Sequence, residues 1–450
     1  MLEHIQETKS KMVLILDKLF EKYGGLVCDV PMVILPLGAS AGGGAGLIMR
    51  LTTKQCTAHK SYEEFLEEGK NTNFLPVCKD NVDTLIIYTS GSTGTPKGVV
   101  LTSRNLNAIA IQCAISGKDY HAGEVFLNIL PSFFSFGIGM LHLCLYTGMT
   151  EIPVLIPEVK VIQKMIKKYR PSRFVFGPAL SEIIETYHGK DLSFLTDLTG
   201  GGAAISLEKE RLINAVLQEK RASSKYLAGY GMTELASAVS MNHNDRCKEQ
   251  SIGIPLPMTN VKIIDLESKQ ELGYDEEGEL LVSTPAFMSH YFNNVEETNI
   301  AIEISDGERW MHTGDLAKID KDGYVFITGR LKRIYTVKGE DHQVYKLFPQ
   351  RMEEEIGKIG IVEKCAVIVV EDGLKGNAPI VFVTADAAVI HEELKKVVEQ
   401  VVQKELPSYY APKDVIVLDH IPITSSQKND YQALKKCTSH NLVMKFKLCK

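Results

Sequence analysis

The feature of this sequence that most constrains its fold is a glycine-rich segment directly after an apolar run. The run TLIIY predicts a buried strand, and the segment YTSGSTGTPKGVV spans Tyr88 to Val100. An apolar helical pattern follows, with Thr102 or Ser103 as its predicted cap. A strand, a flexible loop and a helix form a cradle that suits phosphate. The segment therefore predicts a nucleotide-binding α/β domain.

The glycine-rich segment also carries the groups that a triphosphate needs. Glycines let the backbone approach an anion, hydroxyls donate hydrogen bonds, and a lysine supplies positive charge. The residues concerned are Thr89, Ser90, Gly91, Ser92, Thr93, Gly94, Lys97 and Gly98. Lys97 is not followed by the Ser or Thr that holds magnesium in a Walker loop, which indicates a different nucleotide fold. A surface turn of the same composition is the alternative interpretation.

Length and charge limit the other possibilities. With 450 residues, of which 44% are hydrophobic and 24% charged, the chain can bury large cores, and two or more domains are expected. The formal net charge is -6 and no long lysine or arginine run occurs, which argues against a nucleic-acid partner. Nine scattered cysteines without a C-x-x-C pair favour a reduced, cytoplasmic location.

Two uncharged stretches, 30–49 and 125–150, call for a test against membrane insertion. Both contain proline and several glycines, which suit buried turns better than a spanning helix, so no insertion is expected. The stretch 1–25 mixes acidic and basic residues among apolar positions at helical spacing. This pattern predicts an amphipathic helix and not a signal peptide.

The predicted pattern of strands and helices changes along the chain. From about Asn81, β-rich runs alternate with helical patterns, which predicts an α/β core. Beyond about Asn260 the runs NVKIIDLE, GELLVST and GYVFITG, separated by turn signals, predict hairpins in a β-rich subdomain. After GRLKR an α+β pattern begins, so domains at 1–329 and 330–450 are expected.

At this point the sequence resembles the adenylate-forming superfamily of acyl-CoA synthetases, luciferases and peptide-synthetase adenylation domains. The glycine-rich segment is similar to the superfamily's signature loop, and further motifs follow in the expected order: YGMTE at 230–234, HTGDL at 312–316, GRLKR at 329–333 and PITSSQKNDYQAL at 422–434. The resemblance implies a large N-terminal domain of sheets and helices that holds ATP, and a small mobile C-terminal lid domain.

The resemblance also implies roles for single residues. Tyr230 is expected to stack on adenine, with Gly201, Gly202 and Ala203 on the other side, and Gly231 beside it. Thr233 is expected to contact phosphate, Glu234 to hold Mg²⁺, and Asp315 and Arg330 to bind the ribose hydroxyls. A carboxylate that accepts from two hydroxyls also makes chemical sense without the resemblance.

Two lysines of the C-terminal part match motif positions with mechanistic roles. Lys428 matches the lysine that bridges the carboxylate and the α-phosphate during adenylation, where a cation offsets developing negative charge. Lys332 matches the hinge residue around which the lid turns between half-reactions. Together with Lys97 and Thr233, Lys428 completes the expected catalytic set.

The expected activity is ATP-dependent conversion of a carboxylic acid to its acyl-AMP, followed by transfer to a thiol, most simply coenzyme A. The wall LPSFFSFG at 130–137 is aromatic and uncharged, which favours a fatty or aryl acid over an amino acid. These phenylalanines could also be ordinary core.

Three departures from the superfamily pattern affect these expectations. Only 87 residues precede Tyr88, so part of the N-terminal domain is expected to be missing. Gln427 replaces the glycine that usually precedes the catalytic lysine. The segment after the hinge, TVKGEDHQVYKLFP, is longer than usual, which makes transfer to the thiol the less certain half-reaction.

Three alternatives remain at this stage. The pattern GASAG at 38–42 fits a hydrolase nucleophile elbow with Ser40, although the glycines that follow disfavour the helix that such a fold needs. A shortened relative that binds nucleotide without turnover is the second alternative. An enzyme that loads an acyl carrier protein, in place of coenzyme A, is the third.

Overall fold

A computed structural model describes residues 2–22, 30–36, 59–70, 72, 80–89, 96–154, 158–177, 180–339, 341, 343–373, 375–385, 389–424 and 428–439. The chain divides into two compact units, Met1–Lys79 and Asp80–Lys450. Among the described residues, no helix has the combination of length and apolar content that crossing a bilayer requires.

The described residues of the first unit form a small parallel sheet and three helices. Its strands are Val13–Leu16, Met32–Leu35 and Lys60–Ser61, and its helices are Leu2–Glu7, Asp17–Lys22 and Tyr62–Gly69. The prediction of one amphipathic helix over 1–25 is therefore wrong. The four consecutive apolar residues of VLIL form a strand in register with MVIL, because a continuous apolar run suits a parallel strand better than a helix with one apolar face.

The main sheet of the second unit has seven strands. In spatial order these are Ile254–Pro255, Ser237–Met241, Tyr226–Met232, Asp197–Gly200, Arg173–Phe176, Val125–Asn128 and Thr150–Pro153. The last five are parallel, and the first two add antiparallel strands at one edge. Four helices connect these strands: Ser135–Thr147, Val159–Tyr169, Glu182–Glu185 and Leu207–Glu219. The predicted α/β fold class is confirmed.

The predicted phosphate loop joins two antiparallel strands, Asp83–Thr89 and Lys97–Thr102, and His290–Tyr291 extends this sheet. The helix Ser103–Ala114 begins only after the second strand, so the expected direct order of strand, loop and helix is wrong. The apolar run Val99 to Leu101 is fully buried, and this burial makes it a strand. Thr102 caps the helix as predicted, since its hydroxyl accepts from the Asn105 backbone amide at 3.2 Å.

The predicted β-rich subdomain is a five-stranded antiparallel sheet. Its strands are Asn260–Ile264, Gly278–Ser283, Ile302–Ser305, Glu308–Ile319 and Val325–Arg330. The helix Val295–Ala301 leads directly into this sheet. The single turn Thr233–Leu235 connects the main sheet to its antiparallel edge.

The C-terminal part has the predicted α+β pattern. Its strands are Tyr335–Lys338, Val344–Leu347, Lys364–Asp372, Gly376–Thr384 and Asp414–Val417. Its helices are Pro349–Gly357, His391–Glu405 and Tyr431–Ser439, with single turns at Leu331–Arg333 and Ser408–Tyr410. Buried apolar residues between 337 and 434 form clusters of their own. The domain boundary at 329/330 stays a prediction.

Candidate active site

The buried carboxylate of Asp315 lies at the centre of the candidate site. Asp315 is 2% exposed and pairs with Arg330 across neighbouring strands of the β-rich sheet. Arg330 Nε lies 2.8 Å from Asp315 Oδ1, and the Tyr230 hydroxyl donates to Asp315 Oδ2 at 2.6 Å. Burial, and then the negative charge of Asp315, raise the pKa of Tyr230 well above its usual value, so the phenol stays a donor. Three of the predicted nucleotide-binding residues thus meet in one network.

Close contacts at two glycines near Tyr230, and a positive φ at a third, favour the absence of a side chain at these positions. The strand Tyr226–Met232 changes register between Tyr230 and Gly231, and a Cβ at Gly231 would collide with the Ser237 carbonyl oxygen. A Cβ at Gly201 would lie 3.2 Å from the Phe136 ring and 3.3 Å from the Gly229 carbonyl oxygen. Gly202 has φ +88°, in the left-handed region that favours glycine. Ala203 follows in the same irregular segment.

The turn after Tyr230 presents Thr233 and Glu234. Ser135 Oγ donates to Thr233 Oγ1 at 3.3 Å, and the Tyr291 hydroxyl donates to Glu234 Oε1 at 2.7 Å. The Glu234 carbonyl oxygen accepts from the Met288 amide at 2.7 Å, which fixes the backbone of the turn. The two predicted ligands of phosphate and metal therefore sit on an anchored turn, next to the Tyr230 network.

Lys97 lies beside this turn and is already paired. Its ammonium forms an ion pair with Glu297 and lies 5.0 Å from the centroid of the Tyr291 ring. The Thr89 hydroxyl donates to the Lys97 carbonyl oxygen at 3.4 Å across the base of the loop. Ser90, Gly91, Ser92, Thr93 and Gly94 lie outside the described residues, so their predicted contacts with phosphate stay predictions.

The predicted catalytic lysine reaches the same network from the C-terminal part. The pKa of the Lys428 ammonium is lowered, first because the surrounding protein partly removes the charge from water and then by repulsion from Arg330. Asp315 and Glu234 act on the same pKa in the opposite direction. The Lys428 backbone is held by Thr424, whose amide donates to the Lys428 carbonyl oxygen at 2.7 Å. Lys428 is thus within electrostatic range of Arg330, Asp315 and Glu234.

The predicted hinge residue Lys332 lies in the turn Leu331–Arg333, directly after the strand that carries Arg330. The neighbouring Arg333 binds the C-terminal part through a bidentate pair with Glu353, at 2.8 and 3.0 Å. Arg333 also donates to the Tyr431 hydroxyl at 3.1 Å and stacks over the Tyr431 ring at 4.1 Å.

The phenylalanines of the predicted acid-binding wall, LPSFFSFG, differ in how far they are buried. Phe133 is 67% exposed, and its ring contacts Phe134 at a centroid distance of 4.4 Å. Phe136 packs on the main core and under Gly201. At least one of these phenylalanines is therefore core, as the sequence allowed. Gly98, expected to let the backbone approach an anion, faces the side chains of Ile86, Tyr88 and Phe292.

Two further predictions concern residues that are not described. Gln427 and the Ser40 segment both lie outside the described residues. The hydrolase alternative therefore receives neither support nor contradiction from the structure.

Three residues make contacts in the site that the sequence did not indicate: Ser135, which lies in the predicted acid-binding wall, Tyr291 and Glu297. Each contacts a predicted site residue that is distant along the chain, such as the pair Lys97 and Glu297, which are 200 residues apart. Periodicity and short motifs report local neighbours, and this sequence contains no signal that joins these positions.

The residues present fit a magnesium ion held mainly by phosphate. Among the described residues there is no group of three or more His, Cys, Asp or Glu that could hold a metal by itself. Magnesium usually takes one or two carboxylates together with substrate phosphates and waters. The Glu234 carboxylate, positioned by the Tyr291 hydroxyl, could supply such a ligand.

The second unit thus combines a mainly parallel sheet, a β-rich subdomain and a C-terminal α+β part. Residues 48–292 match the model of the AMP-binding enzyme family, and residues 351–428 match that of the AMP-binding enzyme C-terminal domain. Since the first match alone covers more than half of the chain, the chain belongs to the AMP-binding enzyme family.

Curated relatives are similar over most of this chain. A 4-coumarate--CoA ligase from Pinus taeda is 28% identical over 371 residues, which cover 78% of this chain and 65% of the relative. A luciferin 4-monooxygenase from Nipponoluciola cruciata is 28% identical, covering 78% and 63%. A probable 4-coumarate--CoA ligase 3 from Dictyostelium discoideum is 32% identical, covering 74% and 57%. The chain thus spans less than two thirds of the length of these relatives.

Solved structures share the fold. An ATP-bound RpMatB-BxBclM chimera superposes with a TM-score of 0.77 at 21% identity, covering 97% of this chain and 81% of the other. The anthranilate CoA ligase AuaEII in complex with anthranoyl-AMP gives a TM-score of 0.77 at 19% identity, covering 98% and 80%.

Proposed function

We propose that this chain activates a carboxylic acid as its acyl-AMP, with ATP as co-substrate and release of pyrophosphate, and then transfers the acyl group to coenzyme A. Membership of the AMP-binding enzyme family supports the nucleotide chemistry. The names of the relatives, several of which are CoA ligases, support coenzyme A as the acceptor.

One observation carries this proposal: the Asp315 carboxylate lies in a network of polar and charged residues from distant segments of the chain. Tyr230 and Arg330 bind Asp315 directly, and the charges of Arg330, Asp315 and Glu234 all act on the Lys428 ammonium. Two carboxylates and two cations in one site form an arrangement that can bind a charged nucleotide and balance charge during its reaction.

We propose the following roles for these residues, which the family motifs imply and with which the contacts are compatible. The Tyr230 ring, fixed by its hydrogen bond to Asp315, would contact adenine beside Gly201, Gly202 and Ala203, while Asp315 would accept hydrogen bonds from the ribose. Thr233 and Lys97 would contact phosphates. Magnesium at Glu234 would neutralise phosphate charge.

In the reaction, a carboxylate oxygen of the acid would attack the α-phosphorus, and the bond to pyrophosphate would break. The Lys428 ammonium would stabilise the negative charge that the two approaching anions bring together. A lysine ammonium has three donors and can bridge two anionic groups.

We further propose a fatty or aryl acid as the substrate. The uncharged segment LPSFFSFG offers no carboxylate for an ammonium group, and the named ligases among the relatives act on 4-coumarate. Free amino acids are expected to be poor substrates. Robust activity with an amino acid and none with fatty or aryl acids would contradict this assignment.

The experiment is acid-dependent exchange of pyrophosphate into ATP, with hydroxamate trapping across fatty, aryl and amino acids. Exchange with one acid class is the expected result. Its absence with every acid would leave a nucleotide-binding protein without turnover. Product analysis with coenzyme A, and separately with an acyl carrier protein, distinguishes the two acceptors.

A further inference from the structure

The ion pair between Lys97 and Glu297 holds the lysine of the phosphate loop in place. Glu297 lies in the first turn of the helix Val295–Ala301, and its amide donates to the Asn294 side chain at 3.1 Å. The Lys97 side chain is 13% exposed and that of Glu297 is 33% exposed, so solvent screens this pair only partly. The glutamate is therefore a fixed anion at a semi-buried position.

The environment of the pair restricts Lys97 further. The Tyr291 ring lies 5.0 Å from the Lys97 ammonium, and the Tyr291 hydroxyl is held by Glu234. Lys97 is thus placed between a carboxylate and an aromatic face, beside the proposed magnesium ligand. A side chain with several rotatable bonds is in this way held in one position.

We propose that Glu297 is a positioning residue that holds Lys97 through this ion pair and lowers the affinity for the β- and γ-phosphates of ATP. This inference rests on the proposed function, because it takes Lys97 as a ligand of these phosphates. A triphosphate must share the ammonium with Glu297 or displace the carboxylate from it.

The charge of Glu297 persists under the conditions of nucleotide binding. The hydrogen bond from Lys97 lowers the pKa of the Glu297 carboxyl, and the positive charge of Lys332 acts in the same direction. When phosphates engage Lys97, the carboxylate stays ionised next to them and repels them. Lys332 remains nearby as a second cation for it.

The repulsion depends on how many phosphates reach Lys97. ATP should be affected most and ADP less, while AMP, which has neither a β- nor a γ-phosphate, should not be affected. This gradation separates a local charge effect from damage to the adenine and ribose contacts, which would alter the binding of all three nucleotides.

The test compares Glu297→Gln with wild type and with the matched control Glu296→Gln. Glu296 is exposed in the first turn of the same helix, and its substitution removes the same charge without touching Lys97. Titration calorimetry of the full chain with ATP, ADP and AMP in the presence of Mg²⁺ gives the three dissociation constants. We expect Glu297→Gln to tighten ATP binding about tenfold, with a smaller gain for ADP.

Other outcomes overturn the inference in distinguishable ways. Unchanged or weaker ATP binding in Glu297→Gln, an equal change for all three nucleotides, or an equal effect of Glu296→Gln would contradict it while leaving the proposed function intact. A wild-type chain that binds no ATP would overturn the proposed function and the nucleotide role of Glu297 together. Pulse acetylation of Lys97, read by mass spectrometry, tests the ion pair alone: Glu297→Gln should increase labelling, and unchanged labelling would refute the contact.

Discussion

The substitution Asp315→Asn tests the centre of the site most directly. Asparagine keeps the shape and can still accept the hydrogen bond that Tyr230 donates at 2.6 Å, so the buried phenol keeps its partner and the fold is expected to persist. The change removes the negative charge that two ribose hydroxyls are proposed to use. Hydrogen bonds to a charged group are worth roughly 1 to 1.5 kcal/mol more than neutral ones. For two hydroxyls, ATP binding should weaken by about 2 to 3 kcal/mol, or roughly 30- to 150-fold.

Calorimetry with ATP, 2′-deoxy-ATP and 3′-deoxy-ATP provides the assay. In the wild type, removal of either hydroxyl should weaken binding, whereas in Asp315→Asn the same removal should cost much less, which is the signature of a direct interaction in a double-mutant cycle. Asp306→Asn is the control, because Asp306 is an exposed turn residue whose φ of 53° suits asparagine. If the deoxy-nucleotides lose the same affinity in both proteins, Asp315 does not bind the ribose.

Three further predictions concern the lysines of the C-terminal part and one histidine. Lys428→Ala should lower pyrophosphate exchange by about a hundredfold or more with little change in ATP binding. The control Lys396→Ala, at an exposed lysine, should leave the exchange rate unchanged. An unchanged exchange rate in Lys428→Ala would remove Lys428 from the mechanism. Lys332→Pro should impair thioester formation more than adenylation, because it locks φ at the hinge; equal losses in both half-reactions would indicate a structural role. His312 lies 3.1 Å from Glu279 and 3.2 Å from Glu303, and the hydrogen bond to Glu279 raises its pKa. The charged His312 imidazolium should therefore stabilise the fold below the pKa that His312 has in the unfolded chain, and this stabilisation should be lost as pH rises through its pKa in the folded chain. At low pH, the free energy of unfolding of wild type should exceed that of His312→Gln by about 1 kcal/mol. A difference that grows with pH would contradict this sign.

The sequence predicted those parts of the fold that depend on local pattern. The Thr102 cap and the hairpin between the strands Glu308–Ile319 and Val325–Arg330 follow from residues within a few positions of one another. The strand Val13–Leu16 was missed, because its partner Met32–Leu35 lies beyond the window in which periodicity is informative. The strand Lys97–Thr102 was missed for a related reason: burial by the rest of the chain determines its conformation.

In the candidate site too, the sequence indicated the residues that lie in local motifs and missed those that matter through contacts with distant residues. Motif positions indicated Tyr230, Asp315, Arg330 and Lys428, and the structure brings these residues together. Glu297 could not be found in this way, since its significance comes from its contact with Lys97. A glutamate in the first turn of a helix is otherwise explained by the helix dipole alone.

The contacts of Arg333 limit where a hinge can lie. The Arg333 guanidinium is held by Glu353 and by Tyr431, and Tyr431 begins the helix that follows Lys428. A rotation centred at or beyond Arg333 would have to break this charged, partly buried cluster, in which loss of one partner leaves a charge poorly compensated. Arg330, by contrast, is bound to Asp315 in the β-rich sheet. If the C-terminal part turns between half-reactions, rotation of the backbone between Arg330 and Arg333 would leave the contacts of both arginines intact. This leaves Leu331 and Lys332 as the residues that can absorb the change, and it places Arg333 with the part that carries Lys428.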